Sequence, residues 1–352
     1  MTKHNFGAGP CILPKEVLKL ASESIINFNE IDLSILEISH RSQDFINVIE
    51  KAKKLVIDLL NVPNNYSILF LQGGASLQFF MSALNLLKKD QTAGYINTGS
   101  WSKKALLEAK KIGNVEIIAS SEEKGFSFIP RNINISDKIS YVHFTSNNTI
   151  YGTQFHSYPK RSKNCFIVSD MSSDIFSKKI NISDFDIIYA GAQKNIGPAG
   201  TTLVIINNEV LNINSNLPSM LDYSVHVDKS SMFNTPPVFS IYVSMLTLQW
   251  LKKMGGINKI EKINDNKSRI LYDAIDESNY LKGYANKADR SKMNVTFTIE
   301  NDNKKKKFDE MCQHKSIVGI KGHRSVGGYR ASLYNALEID SVNVLVDIIK
   351  SL

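Results

Sequence analysis

Between residues 67 and 206, short apolar runs alternate with stretches in which apolar residues recur every three or four positions. Runs of this length bounded by turn formers read as buried strands, and the 3.6-residue pattern reads as helices laid over them. A chain that keeps repeating the pair folds as an α/β protein on a largely parallel sheet, because each crossover helix covers a sheet face. The predicted strands are 67–71, 94–97, 115–119, 139–144, 166–169, 187–190 and 202–206. The predicted helices between them include 76–87, where Leu77, Phe79, Phe80, Ala83, Leu84 and Leu87 share a face, and 102–111. After Pro236-Pro237 a helical pattern over 240–253 stops at Gly255-Gly256, a helix end and hinge. Beyond it a polar helix (258–276), a strand (295–299), a helix (309–314), a glycine-rich stretch and a closing helix (340–350) read as a second, smaller α/β domain. At 352 residues the chain exceeds the size over which one core keeps growing, so two domains are expected.

Composition narrows the class. Apolar residues make up 43 % and charged residues 22 %, the profile of an ordinary globular enzyme. The first residues carry no basic-then-apolar leader, and no apolar stretch reaches the ~18 residues that a membrane span needs, so a cytoplasmic protein is expected. Cys11, Cys165 and Cys312 are too far apart for a zinc site or a disulfide framework, and no metal is expected. The net charge of +8 fits attraction of small anions as well as a merely lysine-rich surface. The run Lys304-Lys305-Lys306-Lys307 is short, flanked by Asp302 and Asp309, and reads as a solvated loop or helix end, not as a nucleic-acid site.

The chemistry concentrates around Gly191-Ala192-Gln193-Lys194-Asn195-Ile196-Gly197-Pro198-Ala199-Gly200, a turn with a predicted strand on either side. A lysine held among small residues in a dry turn can keep its amine partly unprotonated, as Schiff-base chemistry requires. The same composition also describes an ordinary surface turn. Asp170 directly follows the strand 166–169 and is placed either to cap a turn or to face the ring nitrogen of a pyridine cofactor. Gly73-Gly74-Ala75-Ser76 lies between a strand and a helix, where free backbone amides either cradle a phosphate or simply make a turn. Trp101, after another strand end, is a candidate for stacking on a planar ring or for the core. His40-Arg41, His323-Arg324 and Arg330 offer cations for carboxylate or phosphate, or for surface ion pairs.

Together these segments resemble the phosphoserine aminotransferases, a class-V group of fold-type I pyridoxal-phosphate enzymes. The resemblance rests on the Lys194 block and on Phe6-Gly7-Ala8-Gly9-Pro10 with Leu13-Pro14. It extends to Ser39-His40-Arg41-Ser42, Met232-Phe233-Asn234-Thr235-Pro236-Pro237, and Gly322-His323-Arg324-Ser325-Val326-Gly327-Gly328-Tyr329-Arg330-Ala331-Ser332. The blocks occur in the family's order from residue 6 to about 336. The resemblance implies an N-terminal segment (1–14) near the active site, a large cofactor-binding domain (15–256) and a small C-terminal domain (257–352), working as a homodimer. Lys194 would bind pyridoxal 5'-phosphate and shuttle a proton, Asp170 would pair with the ring nitrogen, and Trp101 would stack on the ring. Thr149 and Gln193 would surround the cofactor. Ala75 and Ser76 would seat its phosphate, completed by Asn234 and Thr235 of the other subunit. Arg330 would hold the substrate α-carboxylate; His40 and Arg41, with His323 and Arg324 from the partner chain, would grip its distal anion. Where Ala75-Ser76 stands, some family members carry Gly-Arg, so an arginine contact to the phosphate is not expected.

The implied reaction moves the amino group of L-glutamate to 3-phosphohydroxypyruvate, giving O-phospho-L-serine and 2-oxoglutarate, with 3-hydroxy-2-oxo-4-phosphonooxybutanoate of the vitamin B6 pathway as a second acceptor. Two His-Arg pairs suit this: one meets a single charge, and two share a dianionic phosphate. The alternative is another fold-type I enzyme, such as a serine–glyoxylate-type transaminase or a cysteine desulfurase, for which Cys312 would be the candidate thiol. A non-catalytic basic binding protein would explain the charge but not the company of Lys194.

Overall fold

The computed structural model describes residues 3–160 and 165–352. Its centre is a seven-stranded sheet of β1 (Tyr66–Leu71), β2 (Thr92–Asn97), β3 (Asn114–Ser120), β4 (Ile139–Thr145), β5 (Phe166–Asp170), β6 (Ile187–Gly191) and β7 (Thr202–Asn207). Across the sheet the order is β1–β7–β6–β5–β4–β2–β3, and β7 runs antiparallel to both of its neighbours while the other pairs are parallel. The reason lies in the connection: only residues 192–201 separate β6 from β7, too few for a parallel crossover. The turn that reverses the chain is the one that carries Lys194.

Alternation along each strand sorts the side chains. Ile68, Phe70, Val142, Phe144, Ile167, Ile188 and Ile205 face the helices α1 (Lys15–Ile26), α2 (Gln43–Leu60) and α5 (Val238–Lys253). Leu69, Tyr95, Tyr141, Val168, Tyr189 and Val204 face α3 (Gly74–Leu86) and α4 (Ser100–Ala109). Both faces are covered, so the strands read as nearly continuous apolar runs in sequence. The C-terminal ends of β5 and β6 thereby bring Asp170 and Lys194 to one edge of the sheet, where α/β proteins bind ligands.

A second antiparallel sheet, β8 (Leu281–Gly283), β9 (Asn294–Ile299) and β10 (Tyr329–Ser332), is covered by α6 (Gly256–Glu277), α7 (Asp302–His314) and α8 (Ile339–Lys350) around its own core. Phe6, fully buried, belongs to this core although it lies near the N-terminus, and His4–Asn5 pair with Ile317–Val318. Every predicted helix begins one to seven residues earlier than periodicity places it, and two of the starts have a visible cause. α3 starts at Gly74, where Gly73 (φ 86°) and Gly74 (φ 64°) turn the chain; a Cβ on Gly73 would lie 2.6 Å from that of Leu77. α7 starts at Asp302, with the Asn301 side chain accepting from the Lys304 amide, so the lysine run is the first turns of a helix. Lysine is a good helix former, and Lys304 and Lys307 donate to the carbonyls of Leu352 and Ser351.

Candidate active site

The Lys194 turn is held from both sides. The amides of Ile196 and Gly197 donate to the Ala192 carbonyl (3.2 and 2.8 Å), and the Cys11 amide donates to the Gln193 carbonyl (3.1 Å). Gly9 (φ 139°) passes so close that a Cβ there would sit 3.5 Å from Cγ of both Gln193 and Lys194. Lys194 Nζ points inward and donates to Thr149 Oγ1 at 2.7 Å. Burial lowers its pKa to about 8; Asp170 opposes that shift, Arg330 adds to it, and Asp174 and Cys11 oppose it more weakly. At pH 7 roughly a tenth of such an amine is neutral, against well under a thousandth for a free lysine.

Asp170, 4 % exposed, ends β5. Its Oδ1 accepts from the Ser172 amide (2.9 Å) and hydroxyl (2.6 Å), so the residue does cap a turn. Burial still raises its carboxyl pKa, with the Ser172 hydrogen bonds and Lys194 pulling the other way. A cation presented beside it would compensate that burial. Thr149 joins the group through both ends, its hydroxyl accepting from Lys194 and its carbonyl from Arg330 Nη1 at 3.4 Å. Arg330 is half-buried on β10, and its Nε is buried with no hydrogen-bond partner among the described residues.

The first turn of α3, which follows the strand paired with β7, presents the amides of Gly74, Ala75 and Ser76 with no side-chain cap. Trp101 lies in the first turn of α4 with Lys104 4.6 Å from its ring centre, and its indole N–H is buried with no hydrogen-bond partner among the described residues. Asn234 donates to Gln72 Oε1 (3.1 Å), and Gln72 donates to the Thr235 carbonyl (3.1 Å), which sets this segment beside the strand end that leads into Gly73.

The remaining cations divide. The loop after Gly322 folds back on itself, Gly327 N donating to His323 O at 2.8 Å, and Val326 and Trp101 both pack against the cluster of Phe126, Ile150 and Tyr151. His323 feels the charges of Arg330, Arg324 and Lys104, which add to partial burial in lowering its pKa, so within one chain it stands on the Arg330 side. His40 and Arg41 precede α2, and among the described residues no hydrogen bond or ion pair joins them to Lys194 or Arg330. Cys312 lies in the smaller core with its thiol pushed up to about 12 by burial, which removes it as a reactive thiol. Sequence reasoning missed Tyr334, whose hydroxyl donates to the Ala8 carbonyl (2.9 Å) and accepts from Asn294 (3.2 Å). It also missed the buried side chains of Asn195 and Asn335. No local signal marks these residues, because their partners lie from 20 to 326 positions away in the chain, outside any helical or strand period.

A buried lysine of depressed pKa, a buried carboxylate with one oxygen in use, an uncapped helix start and orphaned Trp101 and Arg330 donors fit a planar, phosphorylated aldehyde cofactor and a carboxylate substrate. With this fold they define the pyridoxal-phosphate-dependent transaminases. The class-V aminotransferase family model matches residues 3–345. The phosphoserine aminotransferase of Flavobacterium psychrophilum is 54 % identical over 354 aligned positions, covering 100 % of this chain and 99 % of that relative. The solved phosphoserine aminotransferase of Bacillus circulans subsp. alkalophilus superposes with a TM-score of 0.96 at 41 % identity, covering 99 % and 98 % of the two chains. That of Trichomonas vaginalis, described as bound to PLP, gives 0.92 at 33 % identity, covering 99 % and 100 %. The chain belongs to the class-V aminotransferases and, within them, to the phosphoserine aminotransferase family. Among the described residues no helix is long and apolar enough to cross a membrane.

Proposed function

We propose that the chain transfers the amino group of L-glutamate to 3-phosphohydroxypyruvate, forming O-phospho-L-serine and 2-oxoglutarate in serine biosynthesis. The observation that carries the reading is the convergence of Lys194, Asp170, Thr149 and Arg330 at one sheet edge, with the Lys194 pKa near 8. Pyridoxal phosphate, when bound, supplies an electron sink that acidifies the substrate α-hydrogen. Lys194 would hold the cofactor, and its Nζ would take up and return that proton. Asp170 would keep the ring nitrogen charged, Trp101 would offer its indole to the ring, and Thr149 and Gln193 would help to position it. Ala75 and Ser76 offer backbone amides to the phosphate, where the helix dipole adds to hydrogen bonding. Arg330 takes the α-carboxylate shared by every substrate and product.

His40 and Arg41 with His323 and Arg324 take the distal anion, the two pairs coming from different subunits of a homodimer in which Asn234 and Thr235 also cross over. Exposed Leu18, Ile25, Ile26, Leu33 and Leu36, with Phe233 beside Asn234, support such a dimer. The division into an N-terminal segment (1–14), a large domain (15–256) and a small domain (257–352) belongs to the same reading. The phosphorylated four-carbon keto acid of the vitamin B6 route has the same two anions and is a second acceptor. The test is a pair of half-reactions followed by the visible absorbance of the bound cofactor. L-glutamate bleaches the band, and 3-phosphohydroxypyruvate, not hydroxypyruvate, restores it. A band untouched by glutamate overturns the donor, and recovery with hydroxypyruvate overturns the phosphate requirement.

A further inference from the structure

Lys194 is fixed from in front by Thr149, but the stronger hold on its turn comes from behind. The next residue, Asn195, points into the protein and is 5 % exposed. Its Nδ2 donates to the Ile175 carbonyl (3.1 Å) and its Oδ1 accepts from the Asn335 amide (3.0 Å). The Asn335 side chain, also 5 % exposed, donates to the Phe176 carbonyl (3.0 Å) and accepts from Asn264 Nδ2 (2.9 Å). Asn264, 1 % exposed on α6, donates further to the Ser177 carbonyl (3.2 Å).

These bonds tie together three segments with one property in common. Residues 175–177 follow Asp170, Asn335 follows Arg330, and Asn195 follows Lys194, each at a short and rigid remove. The first segment is stiffened by its own turn, Ile175 N donating to Met171 O at 2.9 Å. The Asn335 segment is stiffened by Lys267, fully buried, whose Nζ donates to the carbonyls of Leu333 (2.9 Å), Tyr334 (2.9 Å) and Leu337 (3.1 Å). Leucines would fill the same space with less desolvation, but apolar contacts slide whereas buried amides bond in one register.

We propose that Asn195, with Asn335 and Asn264, is a positioning residue that sets where Lys194 stands relative to Asp170 and Arg330. This rests on the reading of Lys194 given above. Lys194 faces Asp170, Arg330, Asp174 and Cys11, and its pKa is low chiefly because the amine is dry. Loosening the clamp admits water and raises that pKa.

The experiment measures the pH dependence of Lys194 labelling by an amine reagent in the full-length chain freed of cofactor, with the labelled peptide quantified by mass spectrometry. The wild-type midpoint is expected at about 8. Asn195→Ala raises it by half a unit or more, which is about a threefold loss of neutral amine at pH 7. If Asn195→Ala does not fold, Asn264→Ala decides. It discards an amide whose oxygen already lacks a partner, so it is the milder change, with a smaller rise expected. Leu345→Ala, in the smaller core, loses stability without moving the midpoint. A midpoint that stays at about 8 in the deciding asparagine variant overturns the inference, as does an equal rise in Leu345→Ala. Failure of wild-type Lys194 to take up pyridoxal phosphate would sink the functional reading instead, and the two failures are read from separate measurements.

Discussion

The two cores and the seam between them are built from opposite materials. Around the seven-stranded sheet the interior is apolar and aromatic, Phe144 touching Phe155, Tyr158 and Phe185 within a cluster that spans α1, α2 and α5. Where the small sheet meets the large one, the buried residues include a run of polar side chains, Asn147, Asn195, Asn264, Ser291, Asn294, Ser332 and Asn335. Asn294 alone exchanges hydrogen bonds with Asn147 (2.8 Å), Ser332 (3.0 Å) and Tyr334 (3.2 Å). Apolar burial supplies most of the folding free energy and is indifferent to direction, whereas buried amides contribute little net and dictate geometry. Lys194, Thr149, Tyr334 and Arg330 all lie at the seam. The molecule is thus held together by one material and aligned by the other.

Substitutions in the two regions separate these roles. Phe144→Ala, in the large core, should have the largest effect on stability, a loss of about 3–5 kcal/mol in urea unfolding. The fraction that remains folded keeps its KM for glutamate; a raised KM there would erase the distinction. Asn294→Ala should cost about 2–3 kcal/mol by leaving buried partners unsatisfied. Unlike the core variant, it should raise KM for glutamate and keto acid together, because it frees Tyr334 and the strand that bears Arg330. An unchanged KM would reduce the seam to ordinary packing.

The third prediction concerns a polar residue inside the α3/α4 side of the sheet. His143 is fully buried, bonded to the Tyr189 hydroxyl at 2.6 Å and stacked on Tyr95, and burial lowers its pKa from 6.5 to about 3. Below pH 6.5 the unfolded chain binds a proton that the folded chain refuses, so stability falls as pH falls. Between pH 6.5 and 5 the loss is about 2 kcal/mol. His143→Phe should remove that slope whatever it does to the absolute stability. A slope that survives assigns the acid sensitivity to other groups.

The contrast between core and seam also explains what the sequence made legible. Strands such as 187–190 announce themselves as short apolar runs because both of their faces are covered, and helices such as 258–276 by the period that one buried face imposes. The Lys194 block and Asp170 were legible for a related reason, being short runs at strand ends with unusual composition. The seam left no such mark. Asn335 meets Asn195 from 140 positions away and Asn264 from 71, and a lone asparagine in a lysine- and asparagine-rich chain looks like surface. Cys11 drew no role from its surroundings in sequence, yet its thiol donates to the Lys194 carbonyl 183 positions on. The placement of His323 beside Arg330 depended on a loop that folds back over Tyr151, which no periodicity encodes.

The central claim is that Lys194, among all the lysines of the chain, is the amine built to hold the cofactor. The most direct test is to incubate the purified protein with pyridoxal phosphate, reduce with borohydride, digest, and locate the pyridoxyl group by mass spectrometry. One stoichiometric label on Lys194, lost in Lys194→Ala without transfer to another lysine, is the expected result. Label spread over surface lysines, or an equal yield in Lys194→Ala, would contradict it.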